Sequence, residues 1–496
     1  MDTSDKNSNL LSRAISQNGI TKLLLGVFLI ICICLIEYSF THFGMIAGLA
    51  VGFAPLLLCG FYYCLKQPAY ALMGMLIANY FLMYLSRMTF GKLPVGVILD
   101  GMILLNILLL LLHACVNKVS WGRAKSGLTL VAVIWTLYCI LELFNPASVS
   151  TKGWISSVRS VAFDFLIIIV LTQIIVDDFK YVKQILFVWS VLTLIAVAKA
   201  LVQKYIGFSQ TERIWLYLYG GALTHILSTS VRYFSIYSDA ANFGAGMGMA
   251  MVVFSIVGFY SKNRILSIYY IAVSLLACYG MLISGTRSAL AVPFGGYAIL
   301  VLMSRKPKII ILASGAMLGA FLFLNYTHIG QGNAIIRRAR SAFNRNDPSL
   351  QVRIANQAKL KVLLADKPFG YGIGNGGGKA KEYAPDSPAS QIATDSWFVM
   401  MWVETGIVGL ILHIATLLYV ILYGCYLVLF KIRSPQVKGV TLAFISGIFG
   451  IAAMSYANEV FGQIPNGLFV YMCMGLIFVA PYFDRQMSIK TIETPQ

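Results

Sequence analysis

Residues 95–116 read VGVILDGMILLNILLLLLHACV, a run of 22 residues holding one acid, Asp100, and no lysine or arginine. A helix needs about 20 apolar residues to cross the hydrocarbon core of a bilayer, so this stretch spans a membrane. The pattern recurs along the chain. Apolar runs begin near Leu23, Gly44, Ala69, Val95, Gly127, Val161, Ile185, Ala241, Ile265, Ser288, Ile309, Phe398, Val440 and Asn466. That is about fourteen candidate spans, with 12–14 expected to form, and it predicts an all-α polytopic membrane protein. The composition agrees: 58% of the 496 residues are hydrophobic and only 11% are charged, with a mean hydropathy of +0.78. Soluble domains carry about 25% charged residues, so a soluble globular protein is excluded, as are disorder and a small disulfide scaffold.

The charge balance is +19, from 38 Lys and Arg against 19 Asp and Glu. In a membrane protein such an excess concerns the side of the bilayer rather than nucleic acid, and no nucleic-acid partner is expected. Alternate connections hold Lys66; Lys118, Arg123 and Lys125; Lys180 and Lys183; Lys262 and Arg264; Arg305, Lys306 and Lys308; and Lys431, Arg433 and Lys438. Short basic loops stay in the cytoplasm, which puts both termini there as well. The polar start of the chain has no cleavable signal pattern, so the first apolar run reads as a retained span. The expected layout is a cytoplasmic tail over 1–22, spans 1–11 over 23–324, a large outer loop over 325–395, spans 12–14 over 396–483, and a second tail over 484–496. All nine cysteines lie in or at the ends of apolar runs, as small packing residues do.

From Asn325 to Thr394 the outer loop holds ten Lys or Arg against Asp347, Asp366, Glu382 and Asp386. A loop this long in a compact domain is usually functional. Basic residues gather on the outer face at three places: Arg232 before span 8, Arg287 at the outer end of span 9, and the loop with Arg337, Arg338 and Arg353. Arginine fits phosphate oxygens in a planar, bidentate fashion that lysine cannot match, which suggests an anionic partner. The alternative is that each arginine caps a helix or snorkels to headgroups. The segment PFGYGIGNGGGK contains GxGxxG at Gly372, Gly374 and Gly377, but no βαβ unit surrounds it, and Lys379 lacks the Walker A spacing. Its glycines allow an anion nest of backbone N–H groups, with Gly372 and Gly374 as candidates, or simply a flexible turn. The five histidines show no metal-ligand spacing, so no metal site is expected. The acids Glu37, Asp100, Glu142, Asp164, Glu404 and Glu459, within or near spans, either line a proton path or pair structurally.

Four segments resemble the O-antigen ligase and polymerase superfamily of bacterial envelope glycosyltransferases, in the family's order. They are VRYFSIYSDAANFGAG with Arg232 and Asn242, SGTRSAL with Arg287, LQVRIANQAKLKVLLADKPFGYGIGNG with Arg353, and TDSWFVMMWVETGIVGL ending in Glu404-Thr405-Gly406. Nine residues before Glu404 the family usually has His-Asn; here the residues are Asp395 and Ser396. The resemblance implies a multi-span glycosyltransferase architecture (GT-C-like) in the inner membrane. It implies glycan transfer from an undecaprenyl diphosphate carrier to a sugar hydroxyl on a glycolipid or growing polysaccharide, at the periplasmic face, with no cofactor or metal. Ligase is the reading, polymerase the alternative, and a lipid-linked glycan flippase the rival from another class. Arg232 and Arg287 would hold the diphosphate, with Arg353, Arg337 and Arg338 in support. Asp395 would serve as base, or else it only caps the helix that follows.

Overall fold

A computed structural model describes residues 58–227, 230–343 and 348–493. The chain divides into two units at Tyr70. The first is described from residue 58 and is helical over 58–66. Everything below concerns the second. Helix makes up 78% of the structure, and the strands described are a two-residue hairpin pairing Ile226 with Val231 and Leu227 with Ser230. The protein is an all-α, multi-pass membrane protein.

Among the described residues, eleven helices are long and apolar enough to cross a bilayer. They are Pro68–Met88, Val95–Val116, Gly127–Phe144, Thr151–Ile175, Phe179–Tyr205, Ala240–Tyr260, Arg264–Ile283, Pro307–Tyr326, Trp397–Lys431, Pro435–Ser455 and Asn466–Ile489. A shorter apolar helix, Arg287–Met303, makes the twelfth. These coincide with the twelve later runs read from the sequence; the two runs near Leu23 and Gly44, the 1–22 tail and Glu37 lie outside the described residues. Local chemistry sets the helix starts. Ser126, Asp178, Asp239, Asn263 and Ser396 each accept a first-turn backbone N–H, and Pro307 and Pro435 stand where a helix needs no donor.

The Ala240–Tyr260 helix is the hub, packed against Arg264–Ile283, Ala291–Met303 and Pro435–Ser455. Its AANFGAGMGMA start explains this: a side chain at Gly244, Gly246 or Gly248 would collide with Ser284, with Asn466 and Tyr237, or with Val292. In a membrane, close backbone approach of this kind replaces the hydrophobic drive available in water.

The connections sort onto two ends of the bundle. At one end Arg123 Nη1 donates to Val176 O (3.2 Å), Gln486 Nε2 to Asp177 O (3.0 Å), Ser434 N to Asp484 Oδ1 (2.7 Å) and Arg305 Nη2 to Leu429 O (3.3 Å). At the other, Arg232 meets Thr286, Arg338 meets Gly285, Asn458 meets Ser288, and Asn145 meets Phe369. Each set joins only connections that the alternating charge pattern assigns to one side of the membrane. The cysteines described are free thiols, and Asp100 is paired with Arg159 at 2.9 Å.

Candidate active site

Three arginines that are distant in sequence meet at the second end. Arg232 follows the 226–231 hairpin, and its backbone N–H donates to His225 O (2.8 Å). Its guanidinium donates to Thr224 O through Nη1 (3.1 Å) and to Thr286 Oγ1 through Nη2 (2.8 Å), while Nε is buried without a hydrogen-bond partner. Burial pushes its pKa down to about 10; Arg338 and Arg287 push the same way, and Asp239 opposes them. Arg232 therefore stays charged at neutral pH, in the field of two like charges. Asp239, the carboxylate that offsets them, already accepts from Ala241 N and Asn242 N as a helix cap.

Arg287 opens the short turn Arg287–Leu290, immediately after Gly285, which turns the chain with φ +61°. Arg338, on the Ala334–Arg340 helix, donates through Nε to Gly285 O (3.0 Å). Leu282, Gly285, Thr286, Arg287, Leu290 and Arg338 line a small pocket there. Leu282 and Leu290, with Met281, Ile335 and Ala339, also line an apolar cavity of about 260 Å³. Its remaining walls include Met251, Phe294, Tyr297, Ala320 and Phe323. An open apolar cleft between helices thus adjoins a cationic pocket at the bundle's end.

A carboxylate pair stands on the far side of Arg287. Asn458 Nδ2 donates to the hydroxyl of Ser288, the residue after Arg287. Asn458 O accepts from Trp397 N (3.3 Å), and Thr394 Oγ1 donates to Glu459 Oε1. Burial raises the Glu459 pKa, with the Asp395 charge adding and the Thr394 hydrogen bond opposing. Asp395 lies between these contacts with φ +50°. It does not cap the helix: the cap is Ser396, whose Oγ accepts from Val399 N (3.4 Å). The capping alternative therefore fails, because Asp395 sits one residue too early, in a left-handed conformation that aspartate tolerates better than most residues.

Residues 271–414 match the model of a family described as O-antigen ligase. An O-antigen polymerase from Salmonella muenchen is 25% identical over 252 residues, which cover 47% of this chain. These two similarities support the O-antigen ligase and polymerase superfamily. The match covers 58% of that relative's length. The family-matched region holds Arg287, Arg338, Arg353 and Asp395; Arg232 and Glu459 lie outside it and are brought in by the fold.

The Pro368–Gly372 stretch and the Glu404–Gly406 stretch prove to be one packing unit. Gly406, at φ +65°, breaks the Trp397–Tyr426 helix, and a side chain there would lie 2.0 Å from Pro368 O. Tyr371 N donates to Val403 O (2.8 Å) and Val408 N to Pro368 O (3.3 Å). The Pro-x-Gly-x-Gly stretch therefore docks on the Glu-x-Gly break. Gly372 and Gly374, candidates for an anion nest, do have positive φ, 87° and 80°. Where a side chain would stand, protein fills the space: Ser148 lies against Gly372, and Gly153 O would be 2.1 Å from a Cβ on Gly374.

The other predicted residues separate. Arg337 is exposed and donates to Gln331 O within its own loop (3.0 Å). Arg353 is half-buried, one helical turn from Asn356, whose amide donates to Ala393 O (3.4 Å), two residues before Asp395. His225 is buried; its Nδ1 faces Gly221 O (2.8 Å) and its Nε2 accepts from Ala240 N (3.2 Å). Burial pushes its pKa down to about 4, so it is a neutral structural imidazole. Among the described residues no group of three or more His, Cys, Asp or Glu side chains is arranged to hold a metal ion. Thr286, Ser288, Asn458 and Arg338's inward turn escaped the sequence reading. Glu459 was legible only as an acid near a span.

Proposed function

We propose that this protein is a glycan transferase that takes a glycan from undecaprenyl diphosphate and gives it to a sugar hydroxyl at the periplasmic face of the inner membrane. One observation carries the reading: the apolar cavity of about 260 Å³ that shares its rim with the Arg287 and Arg338 pocket, beside Arg232. A polyprenyl diphosphate has that same division, a hydrocarbon tail and a head of concentrated negative charge. Arg232, with a buried unpartnered Nε in the field of Arg287 and Arg338, gains when an anion enters.

In the reaction the acceptor oxygen attacks the anomeric carbon, and the bond from that carbon to the phosphate oxygen breaks with its electron pair. The lipid diphosphate leaves. Arg232, Arg287 and Arg338 are fixed before the reaction, so they stabilise the charge that grows on the leaving oxygen without reorganising. Asp395 takes the acceptor proton, with the buried Glu459 beside it. Arg353 borders the acceptor side. Gly372 and Gly374 shape the loop rather than hold substrate, Arg337 faces away, and the transfer requires no metal.

The family description favours a ligase, with lipid A-core as acceptor. The Salmonella muenchen relative and the Asp395-Ser396 pair favour the alternative, a polymerase extending a polysaccharide. The glycan profile of a deletion strain separates them. Complete loss of polymer from lipopolysaccharide supports the ligase, and retention of single repeats without long chains supports the polymerase. An unchanged profile contradicts both. Accumulation of carrier-linked glycan on the cytoplasmic face would point instead to a flippase.

A further inference from the structure

A second polar cluster lies beside the arginines and has no part in the chemistry above. The helices Phe179–Tyr205 and Arg264–Ile283 end near each other on the same side as Arg232. Lys204 Nζ donates to Tyr279 OH at 2.7 Å, and the hydroxyls of Tyr279 and Tyr205 are 2.7 Å apart. The ammonium also lies 5.0 Å from the centre of each ring. Tyr205 is 70% exposed, while Lys204 and Tyr279 are half-buried. Tyr233 adjoins all three electrostatically and directly follows Arg232. Its N–H donates to Ile283 O (3.5 Å), and its ring stacks on Phe208 with centroids 6.0 Å apart.

The described partners of Lys204 are phenols rather than carboxylates, so its charge is not neutralised. An ammonium has three donors and each phenol can both donate and accept, which leaves hydrogen-bonding capacity directed outward. The Tyr205 ring, 70% exposed, stands beside these groups. A pyranose presents the complement, an apolar C–H face edged by hydroxyls. Aromatic walls with a few convergent polar groups are the usual form of a small-ligand site. Tyrosines that only anchor a protein at the headgroups need no such ordered network with a lysine.

We propose that Lys204, Tyr205, Tyr233 and Tyr279 form a subsite for a sugar ring of the carrier-linked glycan, adjoining the diphosphate site. This rests on the transfer reading. Tyr233 directly follows Arg232 in the chain, and the proposal places the first sugars of a diphosphate-linked glycan over the phenols.

The test uses the full chain in phospholipid nanodiscs, comparing the wild type with a Lys204→Met, Tyr279→Phe double variant. Two probes are titrated: undecaprenyl diphosphate without sugar, and the carrier-linked oligosaccharide pool extracted from a polymer-producing strain. The proposal predicts equal binding of the sugar-free carrier by both proteins. It predicts that the variant binds the glycosylated carrier about tenfold more weakly, the size expected for two lost hydrogen bonds. Equal affinity of both proteins for the glycosylated carrier overturns it. Parallel loss of both probes also overturns it, in favour of membrane anchoring. If the wild type binds neither probe, the transfer reading itself falls and takes the subsite with it.

Discussion

The arginine cluster and the glycine-rich segment are equally conspicuous in the sequence, and both suggest a phosphate. The structure separates them. Around Arg232 a guanidinium Nε is buried without a partner, and two more arginines border the same space, next to a cavity. Around Gly374 the space is already occupied by the backbone of Gly153, and Asn375 is tied to Ser148 Oγ (2.9 Å) and Val149 N (3.3 Å). What marks a binding site is polar capacity left over after folding. A residue whose special property is consumed by packing supports the site from a distance.

The largest expected effect tests the packing half of that contrast. Gly374→Ala and Gly406→Ala place a Cβ about 2.1 Å and 2.0 Å from carbonyl oxygens. The clash adds to the roughly 1–2 kcal/mol that a left-handed alanine costs by itself. Both variants should fail to accumulate as folded protein, judged by size-exclusion profile in detergent. Well-folded but inactive Gly374→Ala protein would revive the anion nest.

Asp395→Asn comes next. Asparagine tolerates the left-handed backbone as well as aspartate does, so accumulation should be normal. Transfer should fall by about 10²–10⁴-fold, as for loss of a general base. Full activity in a transfer assay at matched protein levels would reduce Asp395 to a backbone device.

The smallest effect concerns His225, which the contrast places on the packing side. Its pKa in the fold, pushed down to about 4, lies below the ordinary 6.5. Its contribution to stability is complete above pH 6.5 and is lost as pH falls toward 4. Between pH 7 and pH 4.5 the wild-type Tm should therefore fall further than that of His225→Gln, whose amide can both donate and accept. Parallel curves would argue against a neutral, structural His225.

Much of the fold was legible in the sequence because the bilayer imposes one length on every span. The sorting of connections onto two ends was legible because short loops segregate lysine and arginine. The proposed site was legible only where motifs carry it, at Arg232, Arg287 and Asp395. In RRAR, residues 337–340, composition could not say which arginine turns inward. Neighbours on a helix differ by about 100° in direction, and only the docked register sends Arg338 to Gly285 and Arg340 to Thr327 and Ile329. Asn458 and Glu459 lie in a short loop 170 residues or more from Arg287 with no motif around them; the available signal was a polar pair in a connection where such residues are expensive. Positive φ is needed equally for a nest and for close chain contact, so the glycines alone could not decide between the two.

The central claim is that cavity and arginines form one site for a lipid diphosphate. Binding of undecaprenyl diphosphate to the purified full chain tests it most directly, in the wild type, Arg287→Lys, Arg337→Lys and the cavity-filling variant Ala320→Trp. The claim predicts that Arg287→Lys, which keeps the charge but loses the planar fork, and Ala320→Trp, which occupies the tail cleft, each weaken binding by about tenfold or more, while Arg337→Lys binds as the wild type does. Wild-type affinity in both Arg287→Lys and Ala320→Trp would contradict it.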